Sequence, residues 1–290
     1  MVDQNPLPAK AAATFLLAGD LPVSRLGYGT MQLTGPGTWG EPANRDNAIR
    51  VIRRAAELGV TFFDSADAYG PDVTSGILRD ALHPYADDIV LATKVGQTRQ
   101  GPDLWHPNGT PAHLRRQVER ELRHLDLDRI DLLQLHRIDP AVALEDQIGA
   151  LKDLQDEGKI RHIGLSEVTV AEAEAALRVA PIVSVQNLYN LAQRDAEPLL
   201  DWATARGIGF IPWFPLATGG LTGQDSPLTT LAEARGASPA QLALAWLLKR
   251  SPVVLPIPGT SSVAHLEDNL RGAAIELHDS EFEALSRAVR

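Results

Sequence analysis

Eight short β-rich runs recur along the chain, and each leads into a stretch of helical period. The runs are RLGYGTMQL, VTFFDS, IVLATKV, IDLLQLH, IRHIGLS, IVSVQNL, IGFIPWF and VVLPIP. The helical stretches are Arg45–Leu58, Val73–Leu82, Pro111–Leu125, Ala143–Glu157, Val170–Val179, Ala196–Arg206, Pro239–Lys249 and Val263–Leu270. A strand that feeds a helix returning to the next strand builds a parallel sheet. Eight such units within 290 residues predict a closed (β/α)8 TIM barrel, one domain over residues 1–290. A doubly wound open sheet is the competing architecture. It would favour a glycine-rich phosphate turn after its first strand, but Gly27-Tyr28-Gly29-Thr30-Met31-Gln32 lacks the third glycine of that pattern.

Local signals agree with the units. In Pro111–Leu125, Leu114, Val118, Leu122 and Leu125 form one apolar stripe. Thr110 and Ser238 stand before prolines as helix N-caps, and Gly59, Gly158 and Gly207 follow helices as C-terminal stops. Ahead of the first barrel strand, TFLL-AGD-LPVS reads as a hairpin with a Gly-Asp turn, suited to plug the barrel floor. The loops GPGTWGEPANR and TGGLTGQDSP are assigned to the C-terminal face.

That face carries the chemistry of a barrel. The runs end there in Asp64, Lys94, His136, Ser166-Glu167, Gln186-Asn187 and Trp213, and the eighth leads into Pro258-Gly259-Thr260-Ser261-Ser262. Strand period 2 puts Phe62 with Asp64, Val90 and Ala92 with Lys94, and Leu132 and Gln134 with His136 on the barrel axis. An inward lysine stays charged only beside a partner, and Asp64 on the adjoining strand is the candidate. Tyr69, five residues beyond Asp64, reaches the same mouth. The group suits acid/base work on a carbonyl or alcohol. A free phenol has a pKa of about 10, and an adjacent ammonium is expected to lower it. His136 would orient the substrate oxygen. None of the four donates a hydride, so a reduction needs a cofactor.

Each residue also has an ordinary structural reading: Asp64 as a cap, His136 as a core histidine, Tyr69 as loop packing. Lys94 inside LATKVG is the hardest to explain that way. Asp67 is assigned to the loop, because no strand pattern fixes its direction. The other histidines form no HExxH or HxH pair, so no metal site is expected. Trp213 suits stacking on a flat ring, and the start of the Val263 helix suits phosphate.

Bulk properties narrow the partners. A formal charge of −10 disfavours nucleic acid and anionic lipid. The chain has no cysteine, which removes disulfides and thiol nucleophiles and suits a reducing cytoplasm. The first 20 residues are not read as a secretory signal, and no run reaches the roughly 18 apolar residues of a membrane span. A small-molecule carbonyl substrate and a monomer or weak homo-oligomer are expected.

The segments FFDSADAYG, LATKVG, DLLQLHR, HIGLS, VQNLYN, IPWFPL and PIPGTSSVAHLEDN resemble the aldo-keto reductase superfamily over nearly the whole chain. RLGYGTMQLTGPG and PGTSSVAHL look most like its bacterial pyridoxal reductase (pyridoxine 4-dehydrogenase) members. The resemblance implies NAD(P)H-dependent reduction of an aldehyde or ketone. It makes Tyr69 the general acid, Lys94 its activator, Asp64 the holder of Lys94, and His136 the positioner of the carbonyl. It carries cofactor contacts, Asp64 among them, onto Gly29, Thr30 and Met31, onto Ser166 and Gln186 at the carboxamide, and onto Trp213 as the stacking ring. Leu216 falls in the pyrophosphate loop, and Thr260, Ser261, Ser262, Asp268 and Asn269 at the adenosine phosphate. Two departures stand out. Glu167 replaces a frequent Asn, and Gly259, Ser261, Ser262 and His265 offer no fixed cation for a 2′-phosphate. The resemblance makes NADPH the expected cofactor, and the missing cation keeps NADH as the alternative. A Schiff-base lyase using Lys94 and a cofactor-binding protein with little turnover are the rival functions. The loops bearing Trp39 and Trp105-His106 are expected to shape the substrate pocket.

Overall fold

The strands, in the computed structural model describing residues 7–217 and 227–288, run β1 (Thr14–Leu17), β2 (Leu21–Ser24), β3 (Tyr28–Gly29), β4 (Phe62–Asp64), β5 (Val90–Val95), β6 (Gln97–Gly101), β7 (Leu104–Pro107), β8 (Ile130–Leu135), β9 (Ile160–Ser166), β10 (Ile182–Leu188) and β11 (Gly209–Trp213). Seven of them form one parallel sheet in the order β3, β4, β5, β8, β9, β10, β11. The eighth stave is irregular. Phe210 donates to Val253 O and accepts from Leu255 N, both at 2.8 Å, while Gly27 N donates to Pro256 O at 2.9 Å. These bonds join β11 to the β3 side and close the barrel. The prolines at 252, 256 and 258 remove amide donors, which explains why the run VVLPIP bridges without forming a regular strand.

Helices α1 (Arg45–Glu57), α2 (Val73–Leu82), α3 (Pro111–Leu125), α4 (Leu144–Asp156), α5 (Val170–Leu177) and α6 (Glu197–Arg206) follow the staves in turn. Then come α7 (Pro227–Arg235), α8 (Pro239–Arg250), α9 (Val263–Arg271) and α10 (Asp279–Ala288). The eight expected helices are present within a few residues of their expected ends; α7 and α10 are additions to the repeat. Ser238 caps α8 through Gln241 N, but Thr110 makes no side-chain cap and bonds Asn108 instead. On α3 Leu114, Val118 and Leu125 are buried and Leu122 packs half-buried against the same core, while Glu121 is an unexpected buried carboxylate. The loop TGGLTGQDSP lies, but for its final proline, outside the described residues.

Period 2 separates two cores. Phe62, Val90, Ala92, Leu132, Val183 and Ile211 fill the barrel with Leu255 and Ile257. Phe63, Leu91, Val95, Leu133 and Leu135 face the helices. The hairpin β1–β2 does plug the floor, through Leu17, Leu21 and Val23 in the inner cluster. Its turn has three residues, with Ala18 and Gly19 both at positive φ. Asp20 in that turn accepts from Arg161 (3.0 Å) and pairs with His162 (2.8 Å) at the start of β9, which seats the plug. Gly209 makes room there, since a Cβ would lie 2.7 Å from Leu17 Cδ2 and push that side chain aside. The floor being sealed, the open end is the mouth.

Candidate active site

Asp64 and Lys94 end adjacent strands with their side chains turned inward, each 1% exposed. Lys94 Nζ donates to Asp64 Oδ1 at 2.5 Å, to Ser65 O at 2.7 Å and to Tyr69 OH at 3.4 Å. An ammonium has three donors, and all three are used. The other carboxylate oxygen, Asp64 Oδ2, accepts from Gln134 (3.0 Å) and Gln186 (2.9 Å). The turn after β4 brings Tyr69 back over the mouth: Asp67 N donates to Lys94 O and Tyr69 N to Ala66 O. His136 lies against Tyr69, ring centroids 6.0 Å apart and nearly perpendicular.

Burial opposes the Lys94 charge, but the Asp64 carboxylate overrides it, and the ammonium is held above its ordinary pKa. His136 is pushed well below the imidazole range by burial and by the neighbouring Lys94, Arg137 and Arg99, so the ring is neutral at pH 7. Tyr69 departs from expectation. Burial raises its pKa by more than Lys94 lowers it, so the phenol sits above its ordinary value in the free protein. Lys94 holds the proton donor in place; it does not leave a phenolate there.

Asp64, Tyr69 and His136 line one cavity of about 680 Å³, together with Gly29, Thr30, Met31, Ser166, Gln186, Trp213 and Leu216. A flat amide fits the wall between Ser166 and Gln186. Ser166 Oγ accepts from Arg137 at 3.0 Å, leaving its hydrogen to donate; Gln186 spends its NH2 on Asp64 and Gln134, leaving Oε1 to accept. A nicotinamide carboxamide needs that donor and that acceptor. Ser261 lies along the neighbouring cleft with Met31, Gln32 and Asn47. Ser262 caps α9 through His265 N, and Thr260 Oγ1 accepts from Ser262 N. None of the five expected adenosine contacts lines the first cavity. Asp268 is engaged by Ser238, Gln241 and Arg271, and Asn269 is buried.

Three features were not foreseen. The QTRQGPDLWHP segment, expected to be loop, is the hairpin β6–β7. It sets Trp105 edge-on to Tyr69 (6.3 Å) and His136 (5.8 Å). Arg99 from the same hairpin lies over Trp105 at 3.6 Å and over Trp39 at 5.7 Å. Arg137, next to His136, also reaches the cavity; β8 has ended at Leu135, so strand alternation no longer indicates its direction.

Fold and site together define a carbonyl oxidoreductase of the barrel type, and comparison with known proteins agrees. The aldo/keto reductase family model matches residues 25–290. The chain is 47% identical over 280 residues to pyridoxine 4-dehydrogenase of Escherichia coli, covering 94% of this chain and 96% of that one. Among solved structures, glycerol dehydrogenase of Gluconobacter oxydans superposes with a TM-score of 0.86 at 27% identity, covering 95% and 94% of the two chains. An aldo/keto reductase of Klebsiella pneumoniae, solved with NADP and acetate, gives 0.82 at 29%, covering 94% of each. This chain belongs to the aldo/keto reductase family and is an oxidoreductase. Among the described residues no group of side chains could hold a metal, and no helix is long and apolar enough to cross a membrane.

Proposed function

We propose that the chain reduces a small aldehyde or ketone to the alcohol with Tyr69 as proton donor, NADPH being preferred to NADH. Pyridoxal is the first substrate to try, given the E. coli relative. A bound nicotinamide dinucleotide supplies the hydride. Ser166 and Gln186 hold its carboxamide, Trp213 packs on its ring, and Gly29, Thr30, Met31 and Leu216 line its path. Thr260, Ser261 and Ser262 receive the adenosine phosphate, by hydroxyls and the α9 N-terminus.

The bonding of Lys94 carries this reading. Tyr69 OH accepts one of its three hydrogen bonds, so the phenolic hydrogen is free to point into the cavity. A carbonyl oxygen placed there receives that proton as its carbon is reduced, and Lys94 stabilises the phenolate left behind. His136, neutral and with Nδ1 buried without a partner among the described residues, offers the other ring nitrogen to the same oxygen. A Schiff base would need a neutral amine, which the Asp64 pairing opposes. Tyr69→Phe should abolish NADPH-dependent carbonyl reduction while leaving NADPH affinity within about twofold, a hydroxyl deletion being small beside the whole binding energy. Substantial turnover by the variant would overturn the role. Absence of turnover in the wild type across an aldehyde panel would favour a binding protein.

A further inference from the structure

We propose that Arg137 is a specificity residue that selects carbonyl substrates bearing an anionic oxygen, a carboxylate or an ionised phenol, close to the reacting group; this rests on the carbonyl reduction proposed above. The argument starts from the cations around the cavity. Lys94 is paired with Asp64 and has no donor left. Arg99 uses all five of its N–H donors on backbone oxygens of Gly37, Thr38, Ala68, Gly101 and Leu104. Arg137 is different. Its Nη1 donates to His136 O at 2.7 Å and to Ser166 Oγ at 3.0 Å, while Nε and Nη2 have no partner among the described residues. Three donors therefore remain on a guanidinium that lines the cavity.

No carboxylate among the described residues neutralises it by direct contact. Among the cavity's acids, Asp64 belongs to Lys94 and the two glutamines. Asp103 is exposed at the rim. Glu167 is the acid that Arg137 feels, but its Oε1 is taken by Trp213 and Leu188 N, and no ion pair joins it to Arg137. A half-buried guanidinium with spare donors and no bonded acid is costly unless a ligand supplies the charge. Its anchorage matters as well. The bonds to His136 O and Ser166 Oγ fix the guanidinium plane between the residue proposed to orient the carbonyl and the residue proposed to hold the carboxamide. Its charge is felt at Tyr69 and at His136. An anionic oxygen held there stands beside the reacting carbonyl.

Ortho-, meta- and para-carboxybenzaldehydes and their methyl esters test the proposal with NADPH. Wild-type enzyme should prefer at least one acid to its ester in kcat/KM. R137Q should lower kcat/KM for that acid about tenfold or more, the size expected of a charge-assisted bidentate contact, with ester turnover and NADPH affinity little changed. R137K should retain part of the preference. Wild-type preference for every ester, equal loss for acids and esters, or a fall in NADPH affinity in R137Q would overturn it; the last would assign Arg137 to the cofactor. If the wild type reduces neither acid nor ester, the carbonyl-reduction reading falls first. Benzoate binding to the NADP+-saturated protein, followed by tryptophan fluorescence, then decides separately. Binding lost in R137Q sustains the anion site, and absent or unchanged binding ends it.

Discussion

The indole N–H of Trp213 donates to Glu167 Oε1 at 2.5 Å, and the same oxygen accepts the Leu188 amide at 2.7 Å. Glu167 therefore clamps the ring proposed to pack on the nicotinamide. It does so from a backbone at φ +55°, a region Asn adopts more readily than Glu. The family's frequent Asn fits that geometry; here the clamp to Trp213 offsets the strain. Glu167→Ala should weaken NADPH binding about five- to tenfold, the size of one ordinary hydrogen bond lost at the ring. Glu167→Gln, which keeps the acceptor, should bind within about twofold of wild type. Fluorescence titration measures both, and wild-type affinity in Glu167→Ala would show that the ring holds its place without the clamp.

The two carboxylates of FFDSADAYG separate by environment. Asp64 is paired with Lys94. Asp67, expected to be an ordinary loop residue, is buried with Oδ1 unpartnered among the described residues. Burial and the buried Glu121 push its carboxyl well above the usual range, and burial raises Glu121 too. Asp64→Asn should lower kcat by far more than Asp67→Asn, since the second group touches nothing in the proposed proton path. The sign of the stability effect follows from linkage. Above pH 3.8, the ordinary aspartate value, the unfolded chain sheds a proton that folded Asp67 keeps. Stability is then lost as pH rises toward the raised folded value. Asp67→Asn should raise Tm relative to wild type, and by more at pH 8 than at pH 5. A larger kcat loss from Asp67→Asn, or a Tm difference independent of pH, would contradict this.

The barrel was legible because its two cores obey period 2: Leu132 and Leu133 go to opposite faces wherever the strand is regular. Asp64, Lys94 and His136 were found for the same reason, each standing at or beside the end of an alternating run. Arg137 and Arg99 were not. Arg137 lies past the end of its strand, where alternation says nothing. Arg99 lies on a polar ribbon, β6–β7, with no apolar face to betray it. The sign of the Tyr69 shift was missed because burial, which no sequence displays, outweighs the lysine. Glu167 was noticed as a departure, but its partner Trp213 lies 46 residues away and only the fold joins them.

The adenosine-phosphate site proposed at the α9 N-terminus bears on cofactor choice. Thr260, Ser261 and Ser262 offer hydroxyls and amides, without a cation on α9's first turn. A cation does approach from α1: Asn47 donates to Ser261 O, and Arg50 donates to Asn47 Oδ1. The NADPH to NADH ratio of kcat/KM should exceed one. Arg50→Gln should lower that ratio about two- to fivefold, the size of one exposed charge interaction. A wild-type ratio below one would reverse the assignment.

Arg99 ties the loops of the mouth together. Its five donors reach carbonyls of the Trp39 loop, the Tyr69 turn and its own hairpin, while its plane lies on Trp105. Trp105 in turn packs on Tyr69 and His136. A lysine keeps the charge but has three donors and no plane, so the exchange is not conservative. Arg99→Lys should leave at least two of those carbonyls without their donor and loosen the aromatic wall. A stability loss of about 2–3 kcal/mol follows from bonds to a charged donor, and denaturant unfolding would register it. Activity should fall mainly through the aldehyde, with kcat/KM reduced about tenfold by a misplaced pocket wall. NADPH affinity should stay near wild type, because none of the proposed cofactor contacts bonds to Arg99. Unchanged aldehyde kcat/KM in a folded Arg99→Lys enzyme would mean that the three loops keep their arrangement without the staple.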